Sequence, residues 1–378
     1  MIKIENLTKY FDVEGGEPVV AADRVTFEVG KGEICILLGP SGCGKTTTLK
    51  MINKLIPKTS GKIFVDGKDI DEIDSIELRR NLGYVIQQIG LFPNMTIEDN
   101  ICIVPDLLKM DRKESRKKAV ELLEMVNLDP KVFIDRYPRE LSGGQQQRIG
   151  VVRALAADPP IILMDEPFSA IDPINRAVIQ DEFINLNRNL HKTVMMVSHD
   201  IDEAVKMADK VAIFKAGKLV QFGSPEDILG RPKNDFIKDF IGKDSALKRL
   251  YLLKVHQGMI KFPVVAKSGD NIGDIKDKMI KADADIAVVG GGHGRLTGYL
   301  HIDTVKNPEI SDSQAGDQCY RLPHSVTKDD KLRDVVSQMY SEGTDWLPVV
   351  DEHDKYIGYI TQHIIAGLLG SNPESPEE

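Results

Sequence analysis

The octapeptide Gly39-Pro40-Ser41-Gly42-Cys43-Gly44-Lys45-Thr46 has the residue types and spacing needed to hold a nucleoside triphosphate. Its glycines let the backbone wrap phosphate groups, and amides at the start of a helix point toward an anion. Lys45 is placed to reach the β- and γ-phosphates, and the Thr46 hydroxyl, followed by Thr47, can meet Mg²⁺. The plainer alternative is a glycine turn between two elements. The flanks argue against it, because residues 34–38 are an apolar run of strand length and residues 47–52 read as a helix. Strand, glycine loop and helix in that order make a P-loop.

A second candidate is Leu141-Ser142-Gly143-Gly144-Gln145-Gln146-Gln147-Arg148, which runs into the helix-like stretch 149–156. Ser142 and two glycines at a helix start form another anion cradle, although by itself this pattern is also that of a capped helix. Beyond it the apolar residues 161–164 end in Asp165-Glu166. Asp165 can hold Mg²⁺ through water, and Glu166 can polarise a water attacking the γ-phosphate. The alternative for two carboxylates there is solvation of a strand tip. Ser169-Ala-Ile-Asp172 comes next, and Ser198-His199-Asp200 ends another apolar run. A histidine at a strand end is more often a surface residue, but His199 comes next after the carboxylates along the edge where α/β sites collect.

These groups need a scaffold, and up to about residue 230 the chain supplies one. Strand-like runs at 25–29, 34–38, 62–65, 161–164, 193–197 and 211–214 are separated by helix-length stretches, the pattern of a mixed sheet flanked by helices. Residues 96–136 break the rhythm, being rich in Leu, Lys and Glu without strand candidates, and are expected to form an inserted helical subdomain. After residue 250 the chain repeats itself. A gapless shift of 60 positions matches Asp270, Asp274, Met279, Asp285, Val289, His293, Gly298 and Tyr299 to Asp330, Asp334, Met339, Asp345, Val349, His353, Gly358 and Tyr359. Each copy reads helix, strand, turn, strand, and two such units can pair to bury a shared face. The acidic end, 371–378, is too poor in apolar residues to order itself.

Composition fits this reading. The 378 residues exceed one ordinary core, so at least two domains are expected. No run approaches the ~18 apolar residues that span a bilayer, and no signal peptide is expected from the N-terminus. Four cysteines without zinc spacing suit a reducing compartment. A formal charge of −9 argues against a general nucleic-acid binder.

The ordered set of motifs resembles the ATP-binding-cassette ATPases over residues 1–235. That resemblance implies a role for each motif. The P-loop is 39–46, and Gln87 is the Q-loop glutamine, serving the catalytic centre with Glu166 and His199 and ligating Mg²⁺ with Thr46 and Asp165. Residues 161–165 are the Walker B strand, Glu166 is the catalytic glutamate and His199 the switch histidine. The signature residues Ser142, Gly143, Gly144 and Gln145 complete the site of the opposite subunit, and 169–172, with Asp172, form the D-loop. Phe11 stacks on adenine, with Tyr10 as the alternative. Cassettes of this kind face head to tail, so one per chain implies a homodimer acting on ATP and Mg²⁺.

A closer resemblance is to the ATPase subunits of bacterial importers of glycine betaine, carnitine or choline. Residues 85–96 look like their Q-loop segment, and 250–368 look like their tandem CBS pair. The implied architecture is an α/β P-loop cassette at 1–235 with a helical subdomain at about 88–140, a linker at 236–249, and an α/β CBS (Bateman) module with CBS domains at 250–308 and 314–370. The implied partners are a membrane permease docked near Gln87 and the helical insertion, and an extracellular solute-binding protein. The implied place is the cytoplasmic face of the cell membrane. The CBS pair is expected to regulate, with cyclic di-AMP the leading ligand. The CBS ribose pattern, Ser/Thr-x-x-Asp, stands here as Thr361-Gln-His-Ile364 and His301-Ile-Asp-Thr304, so neither copy has the Asp in place. The competing readings are a cassette for a different solute and a non-transport ATPase of DNA repair or the ribosome. The latter usually carry a coiled-coil insertion or two cassettes in one chain, and this sequence has neither.

Overall fold

The computed structural model describes residues 1–87, 90–169, 171–290, 296–353 and 355–370, in two compact units divided between Lys243 and Asp244. The expected tail at 371–378, His293 of the repeat and Ala170 of the D-loop lie outside the described residues.

In the first unit β1 (Ile2–Phe11) and β2 (Val19–Val29) are followed by β3 (Ile34–Leu38), β4 (Ser60–Val65), β5 (Lys68–Asp69) and β6 (Leu82–Val85). The later strands are β7 (Ile161–Asp165), β8 (Thr193–Val197), β9 (Lys210–Lys215) and β10 (Lys218–Gly223). One sheet is antiparallel, in the order β2-β1-β4-β5. The other runs β10-β9-β3-β8-β7-β6, parallel except for β10. Every residue of β3, β7 and β8 is buried, because a parallel strand covered on both faces reads as an unbroken apolar run. The strands β1, β5, β6 and β10 carry weaker signals and are absent from the expected set. In β1 the signal is alternation: Ile2 and Ile4 are buried while Lys3 between them is exposed.

Helices fill the connections. α1 (Lys45–Ile52) follows β3, and α2 (Ser75–Arg80) is capped by Asp74, whose carboxylate accepts from two amides of the first turn. The insertion is helical, with α3 (Ile97–Leu107), α4 (Arg112–Met125) and α5 (Pro130–Phe133) started by Thr96, Asp111 and Asp129 as N-caps. Arg112 ties α4 to α3 through Glu98, Asp99 and Asp106. Then come α6 (Gly143–Leu155), α7 (Pro173–Leu190), α8 (Ile201–Met207), α9 (Pro225–Gly230) and α10 (Asp235–Ile241). One core joins the two sheets to α1, with Leu37, Leu49, Met195 and Phe214 among its buried members. Truncating such a side chain to Ala costs about 2–5 kcal/mol.

The segment 236–249, expected as a linker, is itself largely helical: most of α10 lies in it, and α11 (Ser245–Arg249) opens the second unit. Within that unit the repeat is visible as structure. β11 (Val265–Lys267), α12 (Ile272–Lys281), β12 (Ile286–Gly290), β13 (Leu296–His301) and α13 (Ile302–Val305) form the first copy. After α14 (Ala315–Gln318) the second copy comes as β14 (Val326–Thr327), α15 (Leu332–Glu342), β15 (Trp346–Val350), β16 (Tyr356–Thr361) and α16 (Gln362–Gly370). Each copy makes a three-stranded sheet with one parallel and one antiparallel pair.

The copies are not separate along the chain, and here the expected split into 250–308 and 314–370 is redrawn. The lead-in of the first copy packs on the second: Leu253 and Val255 lie in the core with Val349 and Ile360, and Ile260 bridges Tyr359. The lead-in of the second packs on the first, where Ala315 and Cys319 join Val289 and Leu300, and Tyr320 bridges Tyr299. The backbone bonds repeat in kind. Val255 N donates to Asp330 O at 3.0 Å, and Ala315 N donates to Asp270 O at 2.9 Å. Between the copies Ile286, Val288, Trp346 and Tyr359 form a shared cluster, with Phe262 stacked on Tyr359 at 5.0 Å between ring centroids. A fragment of residues 250–308 therefore lacks part of its own core and exposes what belongs to the other half. It is expected to show no cooperative thermal transition by circular dichroism, whereas residues 244–378 melt in one step. A cooperative melt of the shorter fragment would contradict the exchange.

Candidate active site

The site is built where β3 ends. Gly39 takes φ 140° and Gly44 takes φ 103°, conformations that side chains strongly disfavour. Space forbids a side chain as well: a Cβ on Gly44 would stand 1.9 Å from the Ala21 carbonyl oxygen, and one on Gly39 would stand 2.3 Å from that of Phe214. The loop is held from outside by Gly217 N, which donates to Cys43 O at 3.1 Å. Gly44→Ala is thus expected to lower the melting temperature by several degrees, a cost of about 1–3 kcal/mol, and to abolish nucleotide binding. Differential scanning calorimetry and a fluorescent-nucleotide titration check both. Wild-type values in both would mean that the loop is not held against β2.

Lys45, the first residue of α1, turns its buried ammonium back into the loop, donating to Gly39 O at 2.7 Å and Pro40 O at 3.0 Å. Thr46 Oγ1 donates to Asp165 Oδ1 at 2.7 Å, so residues 119 apart in sequence meet at one point. Asp165 closes the buried strand β7, and burial pushes its carboxyl up, against the Thr46 hydroxyl and the Lys50 and Lys45 charges. Beside it burial pushes the Tyr84 phenol up to about 12, with the Asp165 charge adding to the effect. Burial also raises the Cys43 thiol, which keeps it from acting as a ready thiolate.

Glu166 comes next with φ 48°, and its amide donates to Val197 O at 3.1 Å. This turn aims the carboxylate at the loop. Oε2 accepts from Gln87 Nε2 at 2.9 Å, and Oε1 lies 3.8 Å from His199 Nδ1. A cleft thus opens between the P-loop on one side and Gln87, Glu166 and His199 on the other. Its rim includes Phe11 and Val19, the latter paired with Phe11 across the β1–β2 ladder. Phe11 and Tyr10 are similarly exposed, at 39% and 40%, but only Phe11 is among the cleft's lining residues.

The remaining expected site residues stand elsewhere. Ser142 caps α6, accepting from Gln145 N at 3.3 Å while Gln145 Oε1 accepts from Ser142 N at 2.9 Å. Gly143 and Gly144 sit on an open surface where a Cβ would touch nothing. Asp172 caps α7. These groups lie outside the cleft lining, so within one chain the anion cradle at 142–145 and the P-loop are two separate surfaces. One residue that sequence reasoning does not single out is Gln147. Its buried amide reaches from α6 to Glu166 O at 3.4 Å, beside the Ser169 hydroxyl, which donates to the same oxygen at 3.0 Å. The available signal is a polar residue on the helix face that also buries Val151 and Leu155.

Comparison with known proteins agrees with this geometry. The ABC transporter family model matches residues 22–169, and the CBS domain model matches 322–370. The chain is 48% identical over 376 residues to the osmoprotectant import ATP-binding protein OsmV of Salmonella typhimurium, covering 98% of this chain and 97% of the relative. It is 44% identical over 379 residues to the glycine betaine/carnitine/choline transport ATP-binding protein OpuCA of Bacillus subtilis, covering 100% and 98%. Among solved structures, an ATP-binding cassette in a dimeric post-hydrolysis state bound to ADP and Pi superposes with a TM-score of 0.55 and 35% identity, over 60% of this chain and 99% of that one. With the P-loop and Glu166 lining one cleft, Asp165 bonded to Thr46 beside it, and relatives matching over nearly the whole length, the chain belongs to the ATP-binding-cassette family, as an ATP-hydrolysing transport subunit that carries a CBS module.

Proposed function

We propose that this chain energises the import of quaternary-ammonium osmoprotectants, of the glycine betaine, carnitine and choline type, by hydrolysing ATP for a partner permease. The observation that carries this reading is identity of 44–48% along nearly the whole length, CBS module included, to one protein named for osmoprotectant import and to others named for glycine betaine, carnitine or choline transport. In this reading ATP lies across the P-loop with its adenine on Phe11, and residues 41–47 donate to its phosphates while Pro40 shapes the loop. Lys45 neutralises β/γ charge, and Glu166 takes a proton from the attacking water as Gln87 and His199 hold it in line. Two chains face each other, each presenting Ser142, Gly143, Gly144 and Gln145 to the other's nucleotide, with Asp172 at the seam.

Mg²⁺ fits the residues present. The Thr46 hydroxyl, the Asp165 carboxylate and the amide oxygen of Gln87 are oxygen donors suited to a hard cation, and two of them already touch. The ion would supply charge neutralisation on the phosphates.

Among the described residues no helix is long and apolar enough to cross a membrane. Our reading places the chain on the cytoplasmic face, bound to the permease near Gln87 and α3–α5, with a solute-binding protein on the opposite side. The CBS pair gates transport, and cyclic di-AMP is the ligand proposed for it: a symmetric dinucleotide suits a duplicated module and does not call on the ribose aspartates that both copies lack.

The test is reconstitution of the full chain with its permease and solute-binding protein in vesicles. ATP turnover should rise severalfold with glycine betaine, carnitine or choline and fall when cyclic di-AMP is added. Stimulation only by a solute without a quaternary ammonium group would remove the substrate assignment and leave the ATPase standing. Identical turnover with and without the dinucleotide would remove the ligand.

A further inference from the structure

Behind His199 lies a buried carboxyl that the hydrolytic reading does not use. Glu203, in the first turn of α8, is only 8% exposed. Both of its oxygens are engaged by buried side chains. Ser198 Oγ donates to Oε2 at 2.6 Å, and Gln180 Nε2 donates to Oε1 at 3.0 Å. Ser198 Oγ in turn accepts from Asp200 N at 3.0 Å, and Ser198 N donates to Leu37 O at 3.1 Å, on the strand that leads into the P-loop. One carboxyl therefore fixes the residues on either side of His199 and ties them to α7, the helix that Asp172 begins. Burial pushes the Glu203 carboxyl up, partly offset by the Ser198 hydroxyl, with weaker contributions from Asp200, Arg176 and His199.

A buried carboxyl is costly unless its hydrogen bonds are satisfied. A staple between two helices could be made from apolar side chains without that cost. What an apolar staple cannot do is set the rotation of a three-residue loop, and His199 is the exposed middle residue of that loop, 3.8 Å from Glu166. We propose that Glu203 is a positioning residue for hydrolysis: through Ser198 and Gln180 it holds His199 at the Glu166 carboxylate and links that placement to α7. The proposal rests on the reading that His199 serves the hydrolytic site.

Glu203→Gln preserves volume but removes the charge and turns one of two acceptors into a donor, so Ser198 and Gln180 keep both contacts only by rearranging, with the Gln180 amide flipped or the Ser198 hydroxyl reversed. In the full chain assembled with its permease, the variant should keep KM for ATP within about twofold. Its kcat should fall about ten- to a hundredfold, the scale of a misplaced catalytic group. Glu203→Asp, which retains two acceptors, should recover part of that loss. The deciding measurement is a double-mutant cycle with His199→Ala. If Glu203 acts through His199, adding Glu203→Gln to His199→Ala lowers kcat no further; additive losses mean a merely structural role and overturn the proposal. Should His199→Ala alone leave turnover unchanged, the assignment of His199 fails, and the inference goes with it. If His199→Ala is slow and Glu203→Gln is as fast as the wild type, only the inference fails. Equal melting temperatures of Glu203→Gln and wild type guard against a folding defect; for a variant that melts early, the cycle is repeated with Gln180→Leu, which removes the same link from the α7 side.

Discussion

Glu166→Gln should eliminate ATP turnover while leaving MgATP bound. The carboxylate sits at the end of β7, where Gln87 Nε2 donates to it at 2.9 Å and His199 stands within 3.8 Å. An amide of the same shape can still accept from Gln87, so the cleft keeps its geometry. It cannot take a proton from water. Loss of a general base costs roughly 10²–10⁴ in rate, and among the described residues that line the cleft there is no second carboxylate to substitute for it. The binding contacts of the P-loop are untouched, so the nucleotide affinity measured by titration calorimetry should stay within about twofold of wild type. We propose that the two facing chains close on ATP and part after hydrolysis, so the variant should accumulate as an ATP-bound dimer by light scattering. Turnover within a few-fold of wild type would assign the proton acceptor to another group.

Lys45→Ala should have the second largest effect, on binding rather than on the chemical step. The ammonium is buried and donates to Gly39 O and Pro40 O, with Cys43 Sγ at 3.8 Å, and among the described residues no carboxylate forms an ion pair with it. That arrangement does two things at once. It pulls the loop into a ring around the position a phosphate would take, and it leaves a positive charge unneutralised inside that ring. Removing it costs a charge-assisted contact of about 1.5–3 kcal/mol, which is roughly ten- to a hundredfold in affinity. Lys45→Arg should not rescue, because a planar fork cannot direct a point charge inward through so tight a loop. Nucleotide affinity equal to wild type by calorimetry, with the melting temperature also unchanged, would take Lys45 out of the site.

The nucleotide half of this protein was legible because its signals are local. The P-loop reads from eight consecutive residues, since backbone torsions, helix start and lysine reach are all decided within one turn. The buried strands β3, β7 and β8 read from apolar runs alone. β1 and β6 did not, since the alternation that opens β1 is broken by register shifts after Ile4 and β6 is only four residues long. Glu203, and the contact that Gln147 of the second motif makes with Glu166 O, were invisible for a different reason. Each of the two side chains is polar and in a helix, and only burial against particular partners separates it from the many that face water.

Sequence by itself determined the repeat and its length, because duplicated residues keep their spacing whatever the fold does. The copies recur element by element at the same offset, from α12 and α15 to β13 and β16. Tertiary structure alone decided that the halves exchange their lead-in segments. Leu253 and Val255 complete the second copy's core, and Ala315 and Cys319 the first's. Swapped and unswapped packing use the same residues and bury the same kinds of side chain, so no pattern along the chain distinguishes them. The same holds at the nucleotide cleft. Motif order placed Thr46, Asp165, Glu166 and His199 near one sheet edge, but the 2.7 Å contact between Thr46 and Asp165 comes from how β3 and β7 align on β8 between them, and only the folded chain shows residues 142–145 outside the cleft lining. Which strands meet, and in what register, depends on side chains brought together from distant parts of the chain, so no single local pattern displays it.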